Sequence, residues 1–348
     1  MVAGVQVISE RKLSPRVRAG LDVARAAAAV YVVLHHAIHV GGPVGVLFSF
    51  GQEAVLVFFL LSGFVIFANE RDRSVRPGGY FLRRLRRIYP PMVFAMLVST
   101  ALWAVGLITA TPTLTSAIGT LFAVQDISFL KPGVITDPYL GNSPLWSLSY
   151  EIAFYAAFPL VMIMWRRSER AARIVVPAVA IVAYGSYLAA PNHFSLVAAY
   201  FLMWWAGAML AHLWTNDRLR LSAAFPELAG LVGLNVIAAV GVLFYDYDGV
   251  GVFPVLPLRH SAFVLLLFIL VFTPVRRWLG TMSVRVAGSA ASVAGISYGL
   301  YVMHYPLLVQ TGANSSWWSF SLAALLTVVL AWVADKLLPR LLPSAPRD

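Results

Sequence analysis

Cysteine is absent from the 348 residues, which excludes disulfides, thiolate metal sites and a cysteine acyl intermediate. Charge is scarce too: Asp, Glu, Lys and Arg make up 12% of the chain, where a soluble domain carries about a quarter. What fills the space is apolar, with 60% hydrophobic residues and a mean hydropathy of +0.78, so the chain is read as a membrane protein. The net charge of +11 does not call for nucleic acid. The basic residues fall in short blocks between apolar spans, where insertion bias accounts for them, and no nucleic-acid partner is expected. No cleavable leader is expected either, because residues 1–20 are polar and basic and the apolar stretch after them is interrupted by Arg25 and His36. Internal repeats, low-complexity linkers and a water-soluble second domain are also missing from the pattern.

With spans of about 17 to 25 residues as the ruler, ten apolar stretches qualify: 21–40, 50–69, 89–109, 145–165, 174–190, 195–214, 225–245, 259–274, 289–310 and 317–335. The expected fold is an all-α integral membrane protein, a bundle of about ten transmembrane helices with both termini cytoplasmic, lying in the lipid bilayer of the cell membrane. On that topology every Lys and Arg except Arg25, Lys131 and Arg259 falls on the cytoplasmic side, as positive-inside insertion requires. One domain, 1–348, accounts for the whole, with a polar cytoplasmic N-terminus 1–20, an outer loop at about 110–144 and a short cytoplasmic tail 336–348. The proline-rich outer loop either caps the outer mouth or forms a loose or partly re-entrant connection.

Leu21–Val40 has the apolarity of a span yet carries an aspartate, an arginine and three histidines. Such groups cost a few kcal/mol in hydrocarbon unless they face a partner, a cavity or a substrate path. At about 100° per residue, Asp22, Arg25, His36 and His39 share a stripe, while His35 points about 80° away from His36. Arg25 and His36 lie about 16 Å apart along the axis, near opposite faces of the bilayer core. The helix is therefore one wall of a polar passage, and the Ala26–Ala29 run is a close-packing face. A metal held by His35, His36 and His39 is disfavoured, since no further ligand is placed nearby, and no metal is expected.

Four other stretches carry chemistry. Ser62-Gly63 sits near mid-depth of the second span, where small residues permit either close helix contact or the passage of a narrow ligand. The run Tyr80-Phe-Leu-Arg-Arg-Leu-Arg-Arg-Ile-Tyr-Pro90 places Arg84 and Arg87 three apart on the cytoplasmic approach to the third span. It reads as a positive-inside anchor or as a bidentate clamp for the phosphates of a nucleotide-bearing donor, on a helix that Pro90 and Pro91 interrupt or start anew. Glu151, in Pro144-Leu-Trp-Ser-Leu-Ser-Tyr-Glu151, is expected at the depth of His36, where it either orients an imidazole or complements a helix dipole. Trp146 beside it reads as a membrane-boundary residue. His304, in Ile296-Ser-Tyr-Gly-Leu-Tyr-Val-Met-His-Tyr-Pro306, is read alone as a packed, hydrogen-bonded residue. His193, His212 and His260 stand at span ends and carry no assigned role.

Taken together, LDVARAAAAVYVVLHHA, FFLLSGFVIF, YFLRRLRRIYP, SPLWSLSYEIAFYAAFPL and ISYGLYVMHYP resemble, in order and spacing, the acyltransferase-3 family of membrane O-acyltransferases. The family's Arg, ten residues, His pattern falls on Arg25 and His36, its Arg-x-x-Arg element on Arg84 and Arg87, and its Trp-containing Glu motif on Trp146 and Glu151. Asp22-Val-Ala-Arg25 departs from the more usual glycine-containing run. The resemblance implies transfer of an acyl group from an acyl-CoA donor, acetyl-CoA foremost, to a hydroxyl of a carbohydrate or glycosylated small molecule. The reading of the residues adds a geometry to it, with Arg25, Arg84, Arg87, Ser62 and Gly63 along the donor, and His36, oriented by Glu151, as general base or as the carrier of an acyl group. Trp146, Tyr298 and His304 are the expected supporting residues. No esterase-like domain is expected after the tenth span. The competing class is a proton-coupled transporter or flippase using His36 and Glu151 as a relay, and a non-catalytic scaffold leaves the burial of Arg25 and His36 unexplained.

Overall fold

The computed structural model describes residues 14–38, 42–71 and 77–341; His39 lies outside them. Among the described residues the chain is helical, and its only extended pairing is an isolated bridge between Gln125 and Thr136. The helices are α1 (Pro15–Ala37), α2 (Gly42–Leu47), α3 (Gly51–Glu70), α4 (Pro77–Ala104), α5 (Leu114–Leu121), α6 (Trp146–Arg167), α7 (Glu169–Ala189) and α8 (His193–Thr215). There follow α9 (Phe225–Phe244), α10 (Val255–Leu270), α11 (Val275–Arg285), α12 (Ala287–Ala294), α13 (Ser297–His304), α14 (Trp317–Trp332) and α15 (Leu338–Leu341). Short π-helical segments at Tyr305–Gln310 and Val333–Leu337 continue α13 and α14.

Local chemistry sets the boundaries. Ser14 caps α1 through the Val17 amide, with Pro15 in the first turn, where its missing N–H costs nothing. Ser168 caps α7 directly after α6 ends, and Asn192 caps α8, so two tight reversals join three long helices. Six helical stretches are long and apolar enough to cross a membrane, or seven if the bent pair α10–α11 is one span, its halves meeting at 86°. They correspond to the second, fourth, fifth, sixth, seventh and tenth expected spans, with the bent pair at the eighth. The first and third expected spans are the charged helices α1 and α4. The ninth is broken into α12, α13 and a π-helical segment.

One expectation is overturned in α4, which runs unbroken through Pro90 and Pro91. Proline is tolerated in a bundle helix when neighbours absorb the lost backbone bonds. The carbonyls that Pro90 and Pro91 leave without a helical donor are those of Arg86 and Arg87, and packing holds the helix around them: Ile88, Met92 and Ala95 are buried against the core, and the Tyr298 hydroxyl donates to the adjacent Ile88 carbonyl at 3.0 Å. The arginine run and the third span are thus one rigid rod of 28 residues.

The core is centred on α8, which is buried on all sides and carries Trp204 and Trp205 fully inside. Its contact with α3 is reciprocal. A side chain on Gly63 would overlap the Trp204 carbonyl, and one on Gly207 would overlap the Leu60 carbonyl. On the opposite side α1 lays Ala26 against Ala290 and Ala294 of α12, so the alanine run is indeed a packing face.

The 110–144 segment is folded. It contains α5, and it buries Gln125, Asp126 and Lys131. Lys131 Nζ lies 2.7 Å from Asp126 Oδ1 and 4.0 Å from the centre of the Trp146 ring, while the Tyr150 hydroxyl donates to Asp126 Oδ2 at 2.6 Å. Burial pulls the Lys131 ammonium below its usual pKa, and the adjacent Asp126 carboxylate opposes that drop. Further bonds to this segment come from Tyr187, Phe253 and Gln310, and its own Asn142 donates to the Val302 carbonyl, so it closes the bundle at the end away from the α4 arginines.

Candidate active site

A cavity of about 770 Å³ opens among α1, α3, α4, α6, α12 and α13. Its mouth is basic: Arg83, Arg84, Arg86 and Arg87 of α4 face Lys336 of the π-helical segment after α14, and Arg25 of α1 stands on the wall. Among the described residues, the only carboxylate in the lining is Glu151. The inner end is apolar and aromatic, formed by Val55, Phe58, Phe59, Leu148 and Tyr301. Such a vessel suits a ligand with an anionic head and a long uncharged arm.

The arginines are held ready by internal acids. Glu70, almost fully buried, takes Arg83 through both oxygens at 3.0 and 2.7 Å and Arg84 at 3.2 Å. Arg87 Nη1 stands 3.6 Å from Asp335 Oδ1 and lies over the Tyr298 ring at 5.9 Å. Arg84 lies over Tyr155 at 5.9 Å, and its Nε is buried with no hydrogen-bond partner among the described residues. A buried donor left unmet costs roughly 1–3 kcal/mol, and this one is out of reach of solvent.

Half-way along the wall a polar knot forms. Ser62 Oγ donates to Glu151 Oε1 at 3.2 Å, accepts from Trp204 Nε1 at 3.2 Å and lies 3.2 Å from the Tyr155 hydroxyl, which itself donates to Glu151. Glu151 and Arg87 are also among the charges that act on Arg25. Gly63 does not line the cavity; it faces α8.

Glu151 lines the cavity and His36 does not, and no bond between them is among those described. The expected depth of Glu151 assumed that α6 starts at the membrane boundary. Instead Pro144, Leu145 and Trp146 are buried within the protein, so α6 starts inside the bundle, and Glu151 lines the same cavity as Arg25. For the same reason Trp146, 3% exposed, is not a boundary residue but a platform for Lys131 and Tyr150.

His36 has a different neighbour, His304, which is wholly buried at the end of α13. The His304 Nε2 to His36 Nδ1 distance is 3.2 Å, and each Nδ1 also faces the carbonyl one turn back, Val32 or Leu300, at 3.0 Å. Tyr305 presents its ring to His36 edge-on at 5.2 Å. His35, pointing elsewhere as its phase requires, bonds the Phe48 carbonyl and packs on Gly51. Between this pair and the cavity stands Tyr301, which lines the inner end, lies 6.3 Å from the His304 ring and is tied to Ser147 and the Pro144 carbonyl at 2.8 and 2.5 Å.

The cavity thus gathers Arg25, Ser62, Arg84, Arg87, Glu151 and Tyr298, while His36 and His304 form a second group beyond Tyr301 and Trp146 stands behind the wall. Sequence reasoning missed Tyr155, Glu70, Asp335, Lys336 and Trp204. Tyr155 was within reach, four residues after Glu151 on one helix face; the others are joined only by the fold.

A family model described as an acyltransferase domain matches residues 18–336. Among curated proteins, the peptidoglycan O-acetyltransferase OatA of Listeria monocytogenes is 25% identical over 335 residues, covering 84% of this chain and 49% of that protein. Nodulation protein 10 of Rhizobium leguminosarum bv. viciae is 31% identical over 203 residues, 53% of each chain. The exopolysaccharide production protein ExoZ of Rhizobium meliloti is 30% identical over 213 residues, 60% of this chain and 65% of that protein. The chain spans about half the length of OatA and of Nodulation protein 10. No solved structure matches it.

Proposed function

This chain belongs to the acyltransferase-3 family, and from that premise we propose that it is a membrane O-acyltransferase that moves an acyl group, acetyl from acetyl-CoA foremost, to a carbohydrate hydroxyl. The observation that carries the reading is the basic mouth of the cavity, where Arg83, Arg84, Arg86 and Arg87 face Lys336. Guanidinium groups bind phosphate oxygens in pairs, so Arg84 and Arg87 take the CoA phosphates. The uncharged arm then extends past Arg25 and Ser62 toward Tyr301. Arg25 and His36 lie on one continuous helix, about 16 Å apart by its rise, a span that an extended arm covers.

The acceptor is a hydroxyl of a glycan or a glycosylated small molecule, in keeping with relatives whose names refer to peptidoglycan and exopolysaccharide. His36 takes the hydroxyl proton as the oxygen attacks the thioester carbonyl. The new O–acyl bond forms, the C–S bond breaks, and the thiolate of CoA leaves and collects the proton. Glu151, fixed by Ser62 and Tyr155, balances the charge of Arg25 where the donor passes. Ten crossings of the cell membrane with both termini in the cytoplasm complete the reading. The arginine mouth then faces the cytosolic donor, and the 110–144 segment faces outward.

Binding of CoA to the full-length protein in detergent tests the reading. Arg84→Ala and Arg87→Ala are each expected to weaken it by about 10-fold or more, the range of a lost charged hydrogen bond. Unchanged affinity in both variants would overturn the CoA assignment.

A further inference from the structure

We propose that His304 is the positioning residue for His36: it fixes the ring's tautomer and stabilises the imidazolium that forms when His36 takes a proton. The proposal rests on the reading of His36 as the base, and it gives His304 the part that the sequence reading gave to Glu151.

The assignment follows from where protons can sit. A carbonyl oxygen only accepts, so the bond of His304 Nδ1 to the Leu300 carbonyl at 3.0 Å places a hydrogen on that nitrogen. In the neutral ring Nε2 is then an acceptor. The same logic at the Val32 carbonyl, 3.0 Å away, places a hydrogen on His36 Nδ1, and that hydrogen is shared with His304 Nε2 at 3.2 Å. His36 is thereby held in the form whose Nε2 accepts protons. When Nε2 takes the acceptor's hydrogen, the positive charge spreads to an Nδ1–H that already faces a lone pair and a carbonyl. His304 stays neutral, its own proton committed to Leu300. The cycle closes when Nε2 delivers the proton to the departing thiolate.

His304 is built to stay in place. It is 0% exposed, and α13 is seated on α14, since a side chain at Gly299 would overlap the Ala331 backbone and the Gly299 amide donates to Asp335 Oδ2 at 2.7 Å. The chain then changes at once to a π-helical segment, Tyr305–Gln310, a local geometry that recurs at functional sites. Among the described residues, Glu151 is engaged with Ser62 and Tyr155, and His35 with the Phe48 carbonyl.

The test uses the full-length protein in membranes and diethyl pyrocarbonate as the probe, an acylating reagent that needs no acceptor. Carbethoxylation of His36 is followed by peptide mass spectrometry. His304→Phe keeps a ring and removes the acceptor, and it is expected to slow modification of His36 by about 10-fold, the low end for losing an imidazole's hydrogen-bond partner. His304→Gln supplies a carbonyl oxygen and is expected to stay within about 3-fold of the parent. Equal rates in all three proteins, or equal slowing in both variants, overturns the proposal. If a variant does not fold, selective 15N-histidine NMR of the parent decides the matter, because a neutral His36 protonated at Nε2 is incompatible with it. The two readings fail separately. An active His36→Ala enzyme removes the base assignment, whereas intact reactivity of His36 in His304→Phe removes only the role of His304.

Discussion

The two histidines of one helical turn divide the work. His36 reaches toward His304 and Tyr305, while His35 ties α1 to the Phe48 carbonyl at the start of α3. His36→Ala is expected to abolish acylation, read as one added acyl mass on glycans or metabolites of cells that carry the protein. His35→Ala is expected to keep more than a tenth of that activity and to lose about 1 kcal/mol of stability, the worth of an ordinary hydrogen bond. The phase difference between them was legible in the sequence, because 3.6 residues per turn is a property of the backbone alone. The partner of His36 was not. Residues 36 and 304 are brought together by the seating of α13 between α1 and α14, and no local pattern encodes that.

At the scale of elements, most helices fell close to their expected ranges because apolar length is a strong signal. The exceptions have physical reasons. Proline reads as a helix breaker in a single segment, yet α4 continues through Pro90 and Pro91, with Ile88, Met92 and Ala95 packed into the core on either side of them. The start of α6 was placed too near the surface because the 110–144 segment, rich in proline and polar residues, reads as solvated whereas it is packed over Trp146 around a buried ion pair. Breaking that pair from one side leaves an uncompensated charge, so Asp126→Leu or Lys131→Met alone is expected to cost about 3–5 kcal/mol. The double variant is expected to recover most of the loss. Thermal unfolding of the four proteins in detergent completes the cycle. Between α3 and α8, Gly63→Ala drives a methyl group into the Trp204 carbonyl. The expected loss is about 1–3 kcal/mol by the same measurement, with a matching loss in Gly207→Ala.

For the molecule as a whole, the absence of cysteine makes topology directly accessible. Thr115→Cys in α5 and Ser222→Cys before α9 both replace exposed residues. In intact cells a membrane-impermeant maleimide is expected to label the first and to reach the second only after permeabilisation. The opposite pattern would invert the orientation and place the basic mouth outside. That mouth and its inner chamber also differ mechanically from wall to wall. On the α3 side the backbones of two helices touch at Gly63 and Gly207, so Ser62, next in the chain, is anchored to a surface that can neither slide nor roll without a steric collision. The facing side is of another kind, with α1 resting on α12 through alanines and α13 joined to its continuation by a π-helical turn. The chamber thus has one jaw closed by backbone contact, α3 on α8, and one closed by small side chains, α1 on α12, while His304 is held apart from both by the seat of Gly299 on the Ala331 backbone.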